Sequence, residues 1–173
     1  MTIKEFLILG NICHRIDIEK LPKPKSINGN VVPESLNNLT MGDLIQLQDV
    51  RSEKDALLVP CRVLLGMNEK VVLKSEAGEV LGFVCWASRE MKRINQLFAS
   101  TSVPPTPEER KAGIEHLNFG VFGLLDYYAQ RMGISNHEVV EQVPWVRVYK
   151  CLEMDSKRIM FQRRLQTIIS KKK

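Results

Sequence analysis

Beyond Pro105 the chain carries three helix-start signals in close succession, which commit this stretch to capped helices. Thr106-Pro107-Glu108-Glu109 puts a hydroxyl at the cap, proline at the first helical position and glutamate three residues past the cap. In that pattern the cap side chain and the glutamate each satisfy the other's backbone N–H. Two acids in the first turn also suit the positive end of the helix dipole. Ile114, Leu117, Val121, Leu124 or Leu125, Tyr128 and Met132 follow in steps of 3 and 4, so the spacing predicts one amphipathic helix over 107–132 with Gly133 as its C-terminal cap. Ser135-Asn136-His137-Glu138 is a second cap pattern, opening a short helix to about Gln142. Pro144-Trp145 opens a third. Trp145, Val148, Leu152 and Ile159 form one stripe and Phe161, Leu165, Ile168 and Ile169 another, so helix is expected from 145 to about 169. Three helix starts in the last 67 residues define a helical C-terminal unit, 104–173.

Three glycines in this stretch admit two readings. Gly113, Gly120 and Gly123 share one face if the helix is continuous, together with His116. Glycine inside a helix costs about 0.5–1 kcal/mol relative to alanine, and the return is close approach of another backbone, within the fold or from a neighbouring subunit. Alternatively the glycines break the stretch into two helices near Asn118-Phe119-Gly120.

The first part, 1–103, is less sharply punctuated. Residues 20–38 are rich in Pro, Asn, Lys and Gly; Pro22, Pro24 and Pro33 remove donors, and Asn28-Gly29 signals a turn. The segment reads as a long exposed loop or arm. Thr40-Met41-Gly42-Asp43 fits a helix start for 41–49, with Thr40 as the cap, and 53–66 fits another helix, with Pro60 beginning its second half or kinking it. Val71-Val72-Leu73 and Val80-Leu81-Gly82-Phe83-Val84 flank a Gly-containing link. That is compatible with a small hairpin or with a loop leading into a helix. Apolar residues from Phe83 to Phe98 recur at helical spacing, and Ser100 to Pro105 is a breaker. The fold class expected is mainly α: a helical C-terminal bundle with a smaller N-terminal α part that admits a β hairpin.

Charge is concentrated at one end. The net charge is +5, yet residues 1–149 hold 17 Lys and Arg against 18 Asp and Glu, while 150–173 hold eight against two. A near-neutral body thus ends in a basic segment, suited to a solvated helix face, to an acidic protein surface or to nucleic acid. Hydrophobic residues at 44% provide enough apolar side chains for a packed core and exclude a wholly disordered chain. The opening has an apolar run of only four residues before Gly10, too short for a signal core or membrane span, so no membrane association is expected.

Catalytic signatures are sparse. Cysteines at 13, 61, 85 and 151 have neither metal-ligand nor redox spacing and read as reduced, mostly buried residues. Cys13-His14 is the one Cys/His adjacency, with His116 and His137 as other candidate partners for a thiolate. It carries no flanking signature. No phosphate-binding glycine loop is present, and no cofactor or metal is expected. Asp126, Glu138 and Glu141 read as solvated or ion-paired with Arg131 and Arg147. Trp145 and Tyr149 read as core anchors or interface residues. Arg163, Arg164, Lys171, Lys172 and Lys173 are the candidate phosphate contacts, without base specificity.

Several segments together resemble one class of protein. These are Pro104 to Gly113 (PPTPEERKAG), Phe119 to Asp126 (FGVFGLLD), Val143 to Lys150 (VPWVRVYK) and Phe161 to Leu165 (FQRRL), with the Leu39 to Ile45 start (LTMGDLI). They are similar to small proteins of the structural-gene clusters of tailed bacteriophages, of the type found in phages of gut Bacteroidota. Tail-assembly chaperones and neck or tail components belong to that class. The resemblance covers about half of the chain. It implies a helical, non-enzymatic protein that binds other virion proteins, forms a homo-oligomer, and resides in the virion or in the host cytoplasm during assembly. Gly113, Gly120, Gly123, Trp145 and Tyr149 are the expected interface positions. The 20–38 arm lies outside the pattern and favours a virion-resident component over a soluble chaperone.

Overall fold

Capping chemistry sets most of the element boundaries. A computed structural model describes residues 1–9 and 21–171. Among these the chain is mainly α. Its helices are α1 (Ile3–Leu9), α2 (Met41–Gln48), α3 (Glu53–Leu65), α4 (Glu69–Lys74), α5 (Ala77–Ser100), α6 (Pro107–Lys111), α7 (Gly120–Met132), α8 (His137–Glu141) and α9 (Trp145–Ser170). One antiparallel hairpin joins β1 (Ser26–Ile27) to β2 (Asn30–Val31). The Cys13-His14 pair lies outside the described residues.

The chain forms two compact units. The first comprises Met1–Leu36 and Asp43–Arg93; the second comprises Asn37–Gly42 and Ile94–Lys173. The boundary therefore differs from the 103/104 break expected from the Ser/Thr/Pro run. Helix α5 continues through both units, its residues from Ile94 onward belonging to the second, whereas the breaker marks only where α5 stops.

In the first unit Ser52 caps α3 by accepting the Asp55 N–H at 3.1 Å. The helix ends at Gly66 with φ +63°, where the Gly66 and Met67 N–H groups turn back to the carbonyls of Arg62 and Cys61. Pro60 sits inside α3 and is buried. Asn68 caps α4 through the Val71 N–H. Ile3, Ile27, Cys61, Val72, Val80 and Phe83 are fully buried and form the core with their neighbours. The core explains why 71–84 is helical rather than a hairpin: the valine runs supply buried faces of α4 and α5. A short continuous apolar run is ambiguous between a buried strand and a buried helix.

The hairpin lies instead at Asn28-Gly29, which have φ +47° and +80°. Positive φ at both central residues is what a two-residue hairpin turn requires, and Asn-Gly tolerates it best. Ser75, buried at the end of α4, receives the Asn28 side-chain amide at 2.6 Å and donates its hydroxyl to Val71 O at 2.8 Å. Its carbonyl accepts the Ile3 N–H at 3.0 Å. Thr2 bridges Glu76 beside it.

The exposed arm expected over 20–38 is corrected by these contacts. Ile27 and Leu36 are fully buried and Val32 nearly so. Lys23 lies 4.0 Å over the Trp86 ring and donates to Pro33 O at 2.7 Å, so its charge is used within the unit. Pro22 crosses α5 at Gly82. A Cβ added there would lie under 3.0 Å from the Pro22 carbonyl oxygen and 3.4 Å from its carbon. The prolines fix the segment's path across the helix rather than freeing it.

In the second unit Trp145, Val148, Val140 and Ile94 are buried, with Leu125, Tyr128 and Ala129 of α7. Leu39 accepts the Trp145 N–H at 3.1 Å and Val143 accepts the Met41 N–H at 2.9 Å. Thr106 and Glu109 form both bonds of the capping box. Of the two readings of 107–132, the break near Asn118-Phe119-Gly120 forms rather than the single helix: α6 ends at Lys111, a 3-10 turn spans Ile114–His116, and α7 begins at Gly120. Gly113 at φ +84° and Gly120 at φ +53° set the break, since a helix interior admits no positive φ. Asn136, not Ser135, caps α8 by accepting the Glu138 N–H at 2.8 Å.

Candidate functional site

Helix α9 changes character along its length. Its first turns carry Trp145 and Val148 into the core, where Phe98 packs 5.9 Å from the Trp145 ring and 6.0 Å from the Tyr149 ring. Trp145 is 2% exposed, so this anchor serves the unit's interior. The middle of α9 is tied down by polar contacts. Tyr127 donates to Asp155 at 2.5 Å, and Arg131 pairs with the same carboxylate. Those bonds, Tyr127's first and Arg131's next, hold the Asp155 carboxyl below its ordinary range. Burial together with Asp155 pushes the Tyr127 phenol up to about 12. Two residues earlier, Glu153 accepts from Lys150 at 2.8 Å and Lys157 at 2.9 Å, which brings it down to about 2.

From Met154 onward the helix is mostly exposed. Met154, Phe161, Leu165 and Ile168 have relative exposures of 57, 58, 43 and 55%. Their spacing places them on one side of the helix within about 60° of arc, counting about 100° per residue. Apolar side chains uncovered along a helix face are the feature that marks an interaction surface, whereas scattered ones are ordinary. Sequence periodicity revealed the Phe161–Ile169 stripe, but periodicity is silent on whether a stripe is covered.

The expected interface residues fall in different places. Gly113 and Gly120 occupy left-handed backbone positions outside the interior of any helix, so the common glycine face does not form. Gly123 lies within α7, where an added Cβ would meet the Phe119 Cβ at 2.5 Å. Its small size therefore serves the start of its own helix. Trp145 and Tyr149 pack against each other within the unit, their rings tilted by 56°.

The basic residues also divide. Arg163 donates to both Glu109 oxygens at 3.0 Å and to Pro104 O at 2.6 Å, fastening α9 to the capping box of α6. One terminal nitrogen on the carboxylate and the other on the Pro104 carbonyl commit its guanidinium within the fold. Arg164 is exposed and donates to Met160 O within its own helix at 3.3 Å. Lys171 is exposed at the end of α9, and Lys172 and Lys173 lie outside the described residues.

Among the described residues the other chemistry-bearing groups are dispersed. Cys61 is buried, and burial pushes its thiol up to about 12, far from a nucleophilic thiolate at neutral pH. His137 meets Asp126 at 3.3 Å and the Phe122 ring edge-on at 4.9 Å. Among the described residues no group of three or more His, Cys, Asp or Glu is placed to hold a metal ion, and no helix is long and apolar enough to cross a membrane. The first unit has an apolar cavity of about 620 Å³ between α1, α3, α4 and α5, lined by Phe6, Leu57, Leu58, Leu73 and Val84, among others. The Lys54–Glu69 pair at 2.7 Å closes one edge.

No family model matches the chain, and neither a curated protein nor a solved structure gives a significant match.

Proposed function

We propose that this chain is a non-enzymatic structural or assembly protein of a tailed bacteriophage, acting through contacts with other virion proteins as a neck, tail or portal-proximal component. The observation that carries the protein–protein reading is the uncovered apolar stripe on the last turns of α9. The phage assignment draws on the resemblance of the Pro104–Gly113, Phe119–Asp126, Val143–Lys150 and Phe161–Leu165 segments to that class. Among the described residues, those that would serve catalysis are scattered or committed elsewhere, with Cys61 buried and His137 held by Asp126.

Co-expression with the other structural proteins of the source phage, followed by affinity purification and mass spectrometry of purified virions, tests this. Retention in the particle identifies a structural component. Binding without retention identifies a tail-assembly chaperone. A chain that captures no virion protein and is absent from particles refutes both.

The basic end supports a second reading, association with nucleic acid, through exposed Arg164 and Lys171. It predicts DNA binding that weakens steeply with salt and falls when residues 171–173 are removed. Salt-independent or absent binding eliminates it.

A further inference from the structure

The stripe on α9 has a register. Met154, Phe161 and Ile168 recur every seven residues, and Leu165 falls four residues after Phe161 and three before Ile168. These are the two inward positions of a heptad repeat, with Arg158 at the equivalent place one heptad before Leu165. The seam from Met154 to Ile168 is about 21 Å long at 1.5 Å per residue. All four apolar members are well exposed, and Arg158 is exposed with them.

The flanks decide what fits. On one side of the seam the flanking heptad position is occupied by Lys157, Arg164 and Lys171, a column of cations. On the other side stand Asp155, Gln162 and Ile169. Asp155 is already engaged by Tyr127 and Arg131, and Lys157 shares Glu153 with Lys150. Charged flanking positions choose the partner and orientation of a paired helix.

A second copy of the chain is disfavoured both ways. Aligned in parallel, two seams bring Arg158 against Arg158 in the interface. Aligned antiparallel, the Lys157, Arg164 and Lys171 columns face one another. Like charges across a close interface cost affinity and exclude that pairing.

The geometry points to the seam Met154–Phe161–Leu165–Ile168 as the docking face for an amphipathic helix of a different protein, one with apolar residues in heptad spacing and acidic residues flanking them and facing Arg158. This rests on the protein–protein reading above and specifies the chemistry of one partner. The remaining exposed cations of α9 then serve recognition at the rim of that interface.

The test uses the full chain and two synthetic peptides of about three heptads with leucine at the inward positions. One peptide carries glutamate at every flanking position and the other lysine. Titrations are followed by fluorescence anisotropy at low and high salt. Saturable binding to the acidic peptide, with the lysine peptide at least about tenfold weaker, is expected. Phe161→Asp and Leu165→Glu, at exposed positions that leave the core intact, should each weaken acidic-peptide binding at least about tenfold while circular dichroism stays unchanged. The triple variant Lys157→Glu, Arg164→Glu, Lys171→Glu should move the preference toward the lysine peptide.

Equal affinity for both peptides, no affinity for either, or full binding by Phe161→Asp overturns the proposal. So does wild-type self-association abolished by Leu165→Glu, which would assign the seam to a second copy. Binding to vesicles rich in anionic lipid that both seam variants abolish, without peptide binding, would assign it to a membrane surface. Co-purification separates this inference from the broader one. Virion proteins captured equally by wild type and Phe161→Asp refute the seam alone, and a wild type that captures none refutes the assembly reading.

Discussion

Gly82→Ala pits two effects of opposite sign against each other. Alanine in a helix interior is favoured over glycine by about 0.8–1 kcal/mol, so a solvent-facing site would gain stability. At Gly82 the added Cβ enters the space under the Pro22 carbonyl oxygen, closer than 3.0 Å, with the Pro22 carbon at 3.4 Å and the Leu21 Cβ at 3.5 Å. Backbone is the obstacle, so a rotamer change offers no relief. Retreat of the 21–25 segment is opposed by Lys23, which is held by the Trp86 ring and by the Pro33 and Glu34 carbonyls. Overpacking of this kind costs about 1–3 kcal/mol. A backbone obstacle this close takes the upper half of that range, so with the propensity gain subtracted the variant should lose roughly 1–2 kcal/mol. For a chain of this size that is a fall in Tm of about 2–8 °C. Thermal and urea unfolding monitored by far-ultraviolet circular dichroism measures it. Gly78→Ala is the control, because the nearest atoms to its Cβ are those of the Glu76 carboxylate at 3.3 Å, a side chain that can shift, and the Tm should hold steady or rise. A Gly82→Ala chain that melts at or above the wild type refutes the close crossing of Pro22 over α5.

Other consequences are measurable. Trp145→Ala should cost about 3–5 kcal/mol, the range for a buried large aromatic, and loosen the second unit as seen by hydrogen exchange of α7 and α9; a loss below 1 kcal/mol would show that Trp145 is not a core anchor. Mass-spectrometric mapping of thiol alkylation in the native state should find Cys61 protected, with its thiol pushed up to about 12, while partly exposed Cys85 and Cys151 react first; comparable rates would contradict the burial. Asp155 has a lowered folded-state pKa, so its contribution to stability is full above the ordinary aspartate range and is lost as pH falls through the folded value. Asp155→Asn should therefore flatten the acid limb of the stability–pH curve, and an unchanged slope would remove Asp155 from that linkage.

What was legible in the sequence followed from local chemistry. The capping box at Thr106 and the start of α9 at Trp145 stand where the residues predicted, and the predicted end near 169 is one residue from Ser170. Side-chain caps are satisfied within four residues, so they survive any tertiary setting. The misreadings came from features that depend on distant partners. Strands of two residues leave no alternation to detect, so Asn28-Gly29 was visible as a turn while its hairpin was not. Burial of Val72 and Val80 turned apparent strand runs into helix faces. The folded path of 21–36 depends on Trp86, 63 residues after Lys23, and on Ser75, 47 residues after Asn28. At the candidate site, periodicity supplied the apolar stripe, but only the fold shows that Arg163 is committed to Glu109 while Phe161 stands uncovered.

The assignment of Asn37–Gly42 to the second unit has a consequence for the order in which the chain can be made. These residues leave the ribosome long before Val143 and Trp145, the groups that receive Met41 and engage Leu39. Throughout that interval Leu39, Thr40 and Met41 lack their final hydrogen-bonding partners, although the sequence on either side belongs to a unit that can already close. Completion of the second unit thus waits for a segment synthesised in the middle of the first. For the same reason no single proteolytic cut yields both units whole: cleavage after Arg93 leaves the Leu39 carbonyl on one fragment and the Trp145 N–H on the other.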